Sequence, residues 1–386
     1  MYNFTYHVPT RIHFGLGQIE KLTELAESGT RCLLVYGGGS IKKSGIYDKA
    51  LEILSASGIE VTELSGIEPN PRIQSVRRGV ALCREKDIQM ILAIGGGSVI
   101  DASKCIACGA LYEGDPWDLV MNSKSIKAAL PVYTVLTLSA TGSEMNGNAV
   151  ISDLTINMKQ GMYAHCLKPR MSICDPAYTC SVSRRQTASG TADIMSHTFE
   201  NYFTSVPGGD LQARFAEGIL RTCIHYGPIA LAEPDNYEAR ANLMWCSSNA
   251  INGIIAAGAA QAWCVHPMEH ELSAFYDITH GEGLAILTPR WMEHILSDET
   301  APKLAEYGRN VWGLTGEDDR AVAKEAIGKT ADFFFDTMGM PANLRAVGIL
   351  DEKNFPVMAE KAARACKKSY VPLTAEDVEA IFRASL

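Results

Sequence analysis

No stretch of this chain is long and apolar enough to cross a bilayer. The most apolar run, 253–262, is alanine-rich and stops well short of the roughly 20 residues a spanning helix needs. Positive charge is also scarce: 35 Lys and Arg against 44 Asp and Glu leave a net charge of -9, which argues against nucleic acid or an anionic membrane as partner. The opening residues, Met1 to His7, carry no basic patch leading into an apolar core, so no secretory signal is expected. There is no internal repeat and no low-complexity tract. The eleven cysteines form no disulfide framework; Cys83, Cys223 and Cys246 sit in apolar surroundings, as thiols do in a reducing cytoplasm. Cys105 and Cys108 make a CxxC with no second pair, which reads as helix packing rather than a zinc site. A zinc protease motif is missing too, because His270-Glu271 is followed by Ala274 where HExxH needs its second histidine.

What is present is the composition of a globular enzyme, 47% hydrophobic and 20% charged. A length of 386 residues exceeds one ordinary core, so two domains are expected. In the first half, apolar runs empty repeatedly into glycine turns. Cys32-Leu-Leu-Val-Tyr36 runs into Gly37-Gly38-Gly39-Ser40, and a helix follows from about residue 47. Ile88 to Ile94 runs into Gly95-Gly96-Gly97-Ser98, and Asp101 lies in the helix that begins there. Strand, glycine turn and helix are the unit of a parallel nucleotide-binding sheet, since glycines let backbone N–H groups approach a phosphate at a helix N-terminus. Neither turn is a GxGxxG fingerprint, but two of them, each after an apolar strand, point to a dinucleotide. Further strands are expected at 11–16, 59–64, 131–136, 149–152, 163–167 and 172–175. The strand at 131–136 ends in Thr137-Leu138-Ser-Ala-Thr141-Gly-Ser-Glu144, a loop whose hydroxyls suit cofactor contacts.

Beyond Arg185 helical periodicity takes over, at 186–202, 210–231, 237–256, 268–276, 283–296, 301–312, 319–338, 351–367 and 375–385. Thr374 and Asp377 have the spacing of a capping box. The expected division is therefore a 1–185 α/β dinucleotide-binding domain and a 186–386 all-helical domain, with the active site in the cleft they form. The helical half holds the metal candidates. Asp193 and His197 stand four apart, on one face of a helix, and His266 and His270 repeat that spacing; His280 follows ten residues on, where Gly281 and Gly283 allow a bend. One carboxylate with two or three imidazoles suits a borderline divalent ion such as Zn2+ or Fe2+. Spacing alone does not choose among His266, His270 and His280.

Taken in order, Pro9-Thr-Arg-Ile-His-Phe-Gly15, Gly95 to Asp101, Thr137 to Glu144, Asp193-x-x-x-His197, His266-x-x-x-His270 and His280-Gly281 make the whole chain resemble the iron-containing, or group III, alcohol dehydrogenases. The likeness is greatest to their butanol dehydrogenase-like aldehyde reductase branch. It implies a dehydroquinate synthase-like architecture, usually in dimers or larger assemblies, and metal-dependent hydride transfer between a nicotinamide cofactor and a short-chain alcohol or aldehyde. It further implies that Asp193, His197, His266 and His280 hold the metal, with His270 beside the nicotinamide as a proton relay, since an imidazole titrates near neutral pH. Gly95, Gly96, Gly97, Ser98 and Asp101 become pyrophosphate and ribose contacts, Thr137, Leu138 and Thr141 nicotinamide-side contacts, and Asn70 and Lys159 neighbours of the cofactor.

NAD-preferring members tend to carry an aspartate after the first strand. Here Gly37, Gly38, Gly39 and Ser40, with Lys42 and Lys43 close by, take its place. Glycine N–H groups, a hydroxyl and lysines would accept a 2'-phosphate that an aspartate repels, so NADP(H) is expected over NAD(H). Phe199, Trp263, Phe275 and Tyr276 are candidates to narrow an apolar substrate pocket. Three other readings compete. A sugar-phosphate cyclase-type lyase shares the architecture but needs a basic cluster near the ligands, and none is evident. A metal hydrolase would leave two phosphate loops without a purpose. A non-catalytic binder predicts binding without turnover.

Overall fold

The computed structural model describes residues 1–259 and 263–386, so the end of the apolar run 253–262 lies outside the described residues. Among those described, no helix is long and apolar enough to cross a membrane. The chain forms two compact units. One comprises His7–Val182 and Asp235–Ser248; the other comprises Met1–Tyr6, Ser183–Pro234 and Asn249–Leu386. These are not two continuous halves: relative to the expected segments 1–185 and 186–386, residues 1–6 belong with the helices and 235–248 with the sheet.

The first unit is built on eight strands, β1 (Arg11–Phe14), β2 (Arg31–Tyr36), β3 (Glu60–Leu64), β4 (Met90–Gly95), β5 (Val132–Leu136), β6 (Asn148–Asp153), β7 (Met158–Tyr163) and β8 (Met171–Cys174). Six of them form one sheet in the order β1-β8-β5-β4-β2-β3, parallel throughout. A parallel sheet is buried on both faces, and the alternation along the central strands divides accordingly. Leu33, Val35, Ile91 and Ala93 enter one core; Cys32, Leu34, Tyr36, Met90, Leu92 and Ile94 enter the other. Five helices connect the strands: α1 (Ser40–Lys43), α2 (Ile46–Ala56), α3 (Ile73–Glu85), α4 (Gly97–Ala110) and α5 (Pro116–Met121), and Gln18–Ser28, between β1 and β2, is wound as a 3-10 helix.

The chain moves from β2 outward to β3, then returns to the other side of β2 to form β4. That reversal opens a crevice at the carboxyl ends of β2 and β4, where open α/β sheets bind ligands. Both glycine turns lie there. The strand expected at 163–167 is displaced: β6 and β7 form an antiparallel hairpin in which Asp153 pairs with Met158 and Asn148 with Tyr163. Four residues make the turn, with Asn157 in the left-handed region at φ 46°, so the return strand begins and ends earlier than its apolar pattern suggested.

The second unit is helical: α6 (Arg184–Tyr202) and α7 (Asp210–Ala232), then, after α8 (Tyr237–Ala250), α9 (Val265–Tyr276), α10 (His280–Ile295), α11 (Ala301–Trp312), α12 (Asp319–Asp332), α13 (Phe355–Cys366) and α14 (Ala375–Ala384). All but the last two residues of helix α8 belong to the sheet unit, where Met244 is fully buried in the core beside α3 and α4. It is shorter than the 237–256 expected. The helix expected over 319–338 loosens into a π turn at Phe333–Thr337, and that expected from 351 waits until Phe355, where a proline occupies the first turn. The capping box at Thr374 and Asp377 is formed.

Candidate active site

In the sheet unit, the two loops read as cofactor contacts meet. Thr137 N–H donates to Gly95 O at 3.0 Å. A Cβ on Gly96 would stand 3.1 Å from Leu138 Cβ, and one on Gly97 only 2.3 Å from Thr141 Oγ1. Gly95, Gly96, Gly97, Thr137, Leu138 and Thr141 thus form one surface at the ends of β4 and β5, and only glycine fits at 97. Ser98 follows in the first turn of α4. Gly37 reaches the same place from β2, since a Cβ there would lie 3.8 Å from Val99 Cγ2 in α4. Gly38 is unencumbered, Gly39 is left-handed at φ 100°, and Ser40 opens the one-turn helix α1. Asn70 and Lys159 also converge: Ser152 N–H bonds to Pro71 O at 2.9 Å, while Ser152 pairs with Lys159 across the hairpin. Asn70 is left-handed at φ 50°.

Asp101 lies one turn into α4 and ties that helix to the neighbouring loop. Its carboxylate accepts from Ser143 Oγ at 2.5 Å and from Val150 N–H at 2.8 Å, and it is 8% exposed. It holds the Thr137–Glu144 loop from beneath. Lys104, one turn further along α4, is completely buried and donates to Ser143 Oγ, Asn146 Oδ1 and Asn148 O at 2.8, 3.2 and 2.7 Å. Burial pulls its ammonium down to about 8, against the attraction of Asp101 and Glu144. Buried Glu144 is pushed up by desolvation and accepts from Ser248 Oγ in α8 at 2.5 Å; Gly142 N–H donates to Ser247 Oγ at 3.3 Å. None of the Lys104, Glu144 or Ser248 roles was read from the sequence. A lysine inside an otherwise small and apolar helix face was the available signal.

In the helical unit, α6 starts at Ser183, whose hydroxyl accepts from Gln186 N–H. From Thr187 to Tyr202 every residue is buried, so this is the central helix of its unit. Asp193, His197 and Glu200 share one face, at i, i+4 and i+7. Glu200 reaches the start of α9, which has no capping side chain of its own, and accepts from Cys264 N–H at 2.8 Å and His266 N–H at 2.9 Å. That fixes His266. Asp277 turns the chain in the left-handed region at φ 52°, and His280 opens α10. A Cβ on Gly281 would stand 2.2 Å from Ser189 O, so glycine there lets α10 close onto the α6 backbone. Arg185 clamps the same junction, its guanidinium on Glu282 at 2.5 and 2.7 Å.

The result is a ring of nitrogens around one oxygen. Asp193 Oδ1 lies 3.4 Å from His197 Nδ1, 3.6 Å from His266 Nε2 and 3.6 Å from His280 Nε2. Asp193, His266 and His280 each bring a ligand atom within 4.8 Å of the others. His197 adjoins them, stacked on His266 at 4.5 Å. Asp193 Oδ1, His197 Nδ1 and His266 Nε2 are buried with no hydrogen-bond partner. Such atoms are costly in a protein interior, and the spacing accounts for them: atoms bound to one tetrahedral ion at about 2.0–2.1 Å stand about 3.4 Å apart. The residues fit a divalent ion. Burial pushes His197 down to about 3, which keeps it a neutral donor. Burial also opposes ionisation of Asp193, but the surrounding imidazoles hold its carboxyl well below the usual range. Burial would lower His266 as well, yet Asp193 and Glu200 raise it to about 9, so an entering ion must displace its proton.

His270 is half-buried, its ring 5.8 Å from His280 and 6.4 Å from His266; with Glu269 and His280 it forms a second three-residue group. Of the aromatic candidates, Trp263 stands edge-on to His197 and His266 at 5.9 and 5.0 Å. The others serve the fold. Phe199 packs in a core with Phe203 and Tyr307, Phe275 carries the Lys361 ammonium over its ring, and the Tyr276 hydroxyl accepts from Asn354.

Residues 9–176 match the model of the iron-containing alcohol dehydrogenases, and 187–386 match that of the family's C-terminal domain. The chain belongs to the iron-containing alcohol dehydrogenase family. Over full length on both sides it is 52% identical to NADH-dependent butanol dehydrogenase A of Clostridium acetobutylicum. It is 43% identical to NADPH-dependent aldehyde reductase YqhD of Escherichia coli, covering 94% of this chain and 93% of that one. Its fold superposes on the crystal structure of NADH-dependent butanol dehydrogenase A from Thermotoga maritima with a TM-score of 0.94, at 37% identity, over 100% of this chain and 99% of that one. This member of the family is an oxidoreductase, an alcohol dehydrogenase or aldehyde reductase, and membership implies a divalent metal and a nicotinamide cofactor. The lyase reading finds no support in these relatives.

Proposed function

We propose that this enzyme transfers a hydride between NADP(H) and a short-chain primary alcohol or aldehyde of the butanol and butyraldehyde type. The observation that carries the reading is the Asp193 oxygen ringed by three imidazole nitrogens at 3.4–3.6 Å. Asp193, His197, His266 and His280 are proposed to hold one Fe2+ or Zn2+. When bound, the ion supplies a Lewis acid for the substrate oxygen and the nicotinamide supplies or receives the hydride. The chain's own residues do the rest. Asp193 supplies the one negative donor that offsets the ion's charge, and the burial of His197 and His266 excludes competing water. Gly37, Gly38, Gly39, Ser40, Gly95, Gly96, Gly97 and Ser98 offer backbone or hydroxyl donors to phosphates, and Thr137, Leu138 and Thr141 shape the nicotinamide side. Asn70 and Lys159 flank the cofactor, and Asp101 holds the loop. His270 is proposed to pass a proton at its ring nitrogen, and Trp263 to bound the substrate. His270→Ala should depress turnover and leave metal content intact; unchanged turnover would assign His270 to packing.

The preference for NADP(H) rests on the missing aspartate after β2 and on Lys42 and Lys43. Lys42 is half-exposed, 3.9 Å from Glu63 and 4.3 Å from the Tyr47 ring centre, so Glu63 competes with a 2'-phosphate for it. The relative at 52% identity is named for NADH and the one at 43% for NADPH. Measuring kcat/KM for butyraldehyde with each reduced cofactor decides; higher efficiency with NADH overturns the preference. For the reaction itself, purified protein should contain one iron or zinc per chain, lose NADPH oxidation on chelation and regain it on ion return. Full activity of metal-free protein would sink the reading. A homodimer in a reducing cytoplasm is the proposed state. None of the eleven cysteines is in a disulfide, and light scattering would test the mass of two chains.

A further inference from the structure

Two buried carboxylates near the nitrogen ring are not explained by the ligand set. Glu200 is 5% exposed and Glu269 is not exposed at all. With Asp193, 2% exposed, they surround imidazoles with three acids in the interior of the helical unit, an arrangement that is unfavourable unless positive charge answers it. Each stands behind a different histidine. Glu200 Oε1 lies 3.2 Å from His266 Nδ1. Glu269 Oε2 is bonded to His280 Nδ1, and its other oxygen takes the Ser273 hydroxyl. On both rings the opposite nitrogen, Nε2, faces Asp193 Oδ1 at 3.6 Å.

We infer that Glu200 and Glu269 are positioning residues that set His266 and His280 for the ion, by accepting the Nδ1 proton of each ring and so turning a bare Nε2 towards Asp193. This rests on the metal reading above. A carboxylate behind a ligating histidine fixes its tautomer and raises its basicity. His197 has the opposite setting: it presents Nδ1 to Asp193 and hydrogen-bonds to neither glutamate, so the two glutamates preorganise two ligands of the four. The three acids also select for charge, because a dication offsets two of the three negative charges.

Glu269→Gln is the decisive variant. Its carboxamide oxygen can still meet His280 and its amide can donate to the Ser273 oxygen, so shape and hydrogen bonds are kept while charge is lost. Chelator competition with Zn2+ or Fe2+ should show the Kd raised about 10–100-fold, with one ion per chain bound by wild type and variant alike. The melting temperature of metal-free protein should not fall, while the rise on adding metal should shrink. Glu200→Gln should weaken the ion similarly but also lower metal-free stability, because Glu200 holds two N–H groups of α9. An unchanged Kd for Glu269→Gln overturns the inference, as does an equal fall in metal-free and metal-loaded melting temperature, which marks a packing residue. Two ions per wild-type chain, one lost in Glu269→Gln, would make Glu269 a ligand in the Glu269, His270 and His280 group instead. Wild-type protein that takes up no ion at all overturns the metal reading itself, a different result.

Discussion

The two units of this enzyme build their sites from opposite materials. In the sheet unit, the proposed cofactor surface is backbone, its loops drawn together because Gly37, Gly95, Gly96 and Gly97 carry no side chain, and it is supported from below by the Asp101, Lys104 and Ser143 network. In the helical unit, the site is side chains, projected from the buried face of α6 and the first turns of α9 and α10. A backbone surface tolerates change in anything except the glycines through which its loops touch. A side-chain site tolerates change in space only where no ligand moves. Substitutions should therefore separate cleanly, each damaging one unit's ligand and sparing the other's.

The largest separation is expected at Asp193. Asp193→Ala removes the oxygen on which three nitrogens converge, and loss of a Lewis acid worth several kcal/mol should cut kcat/KM by about a thousandfold or more. Elemental analysis should find no ion, while titration of NADPH fluorescence gives an unchanged Kd; weakened cofactor binding would break the contrast. Gly281→Ala comes next. Its Cβ meets the backbone of Ser189, a group that cannot rotate away, so α10 must lift from α6 at a cost of about 1–3 kcal/mol. Urea unfolding and metal content should both fall. Gly97→Ala is the mirror case in the sheet unit: its Cβ meets Thr141, and NADPH affinity should drop at least tenfold with metal content intact.

Lys104 sharpens the comparison through pH. Its folded pKa of about 8 lies below the 10.5 of an unfolded lysine. From about pH 8 to 10.5 the unfolded chain therefore keeps a proton that the folded chain has released, so this group's contribution to stability rises with pH. Unfolding wild type and Lys104→Met at pH 7.5 and 10 should show the difference moving towards wild type by up to roughly 3 kcal/mol. No such movement would mean that Lys104 stays charged. The smallest effect should come from Thr374→Ala, which opens the capping box of α14 and should cost about 1 kcal/mol with both ligands unaffected.

Much of this was legible in the residues, for reasons that differ by unit. Unbroken apolar runs placed β2, β4 and β5, the first two ending in glycine turns and the third in a loop of hydroxyls. Helical spacing placed Asp193 and His197 on one face, because that relation is local. The convergence of α6 with α9 and α10 is not local, so spacing alone could not choose among His266, His270 and His280. Glu200 was visible at i+7 from Asp193 but carries no signature that separates a positioning acid from a surface one. The contacts of Asp101 with Ser143 and Val150 were hidden for a related reason, since both partners come from distant sequence. The return strand of the hairpin was misplaced because its register is set by β6, not by its own composition.

The excursion of α8 bears on any attempt to divide the protein. The polypeptide leaves the sheet at Val182 and comes back fifty residues later to seat Met244, Ser247 and Ser248 there. A fragment stopping at residue 182 would carry an open seam where that helix belongs, and Glu144 would lose its serine. The matching C-terminal fragment would hold an orphaned helix with an apolar side exposed to water. Neither piece should be expected to survive alone, and a genetic cut at the apparent midpoint would more readily yield two aggregates than two domains.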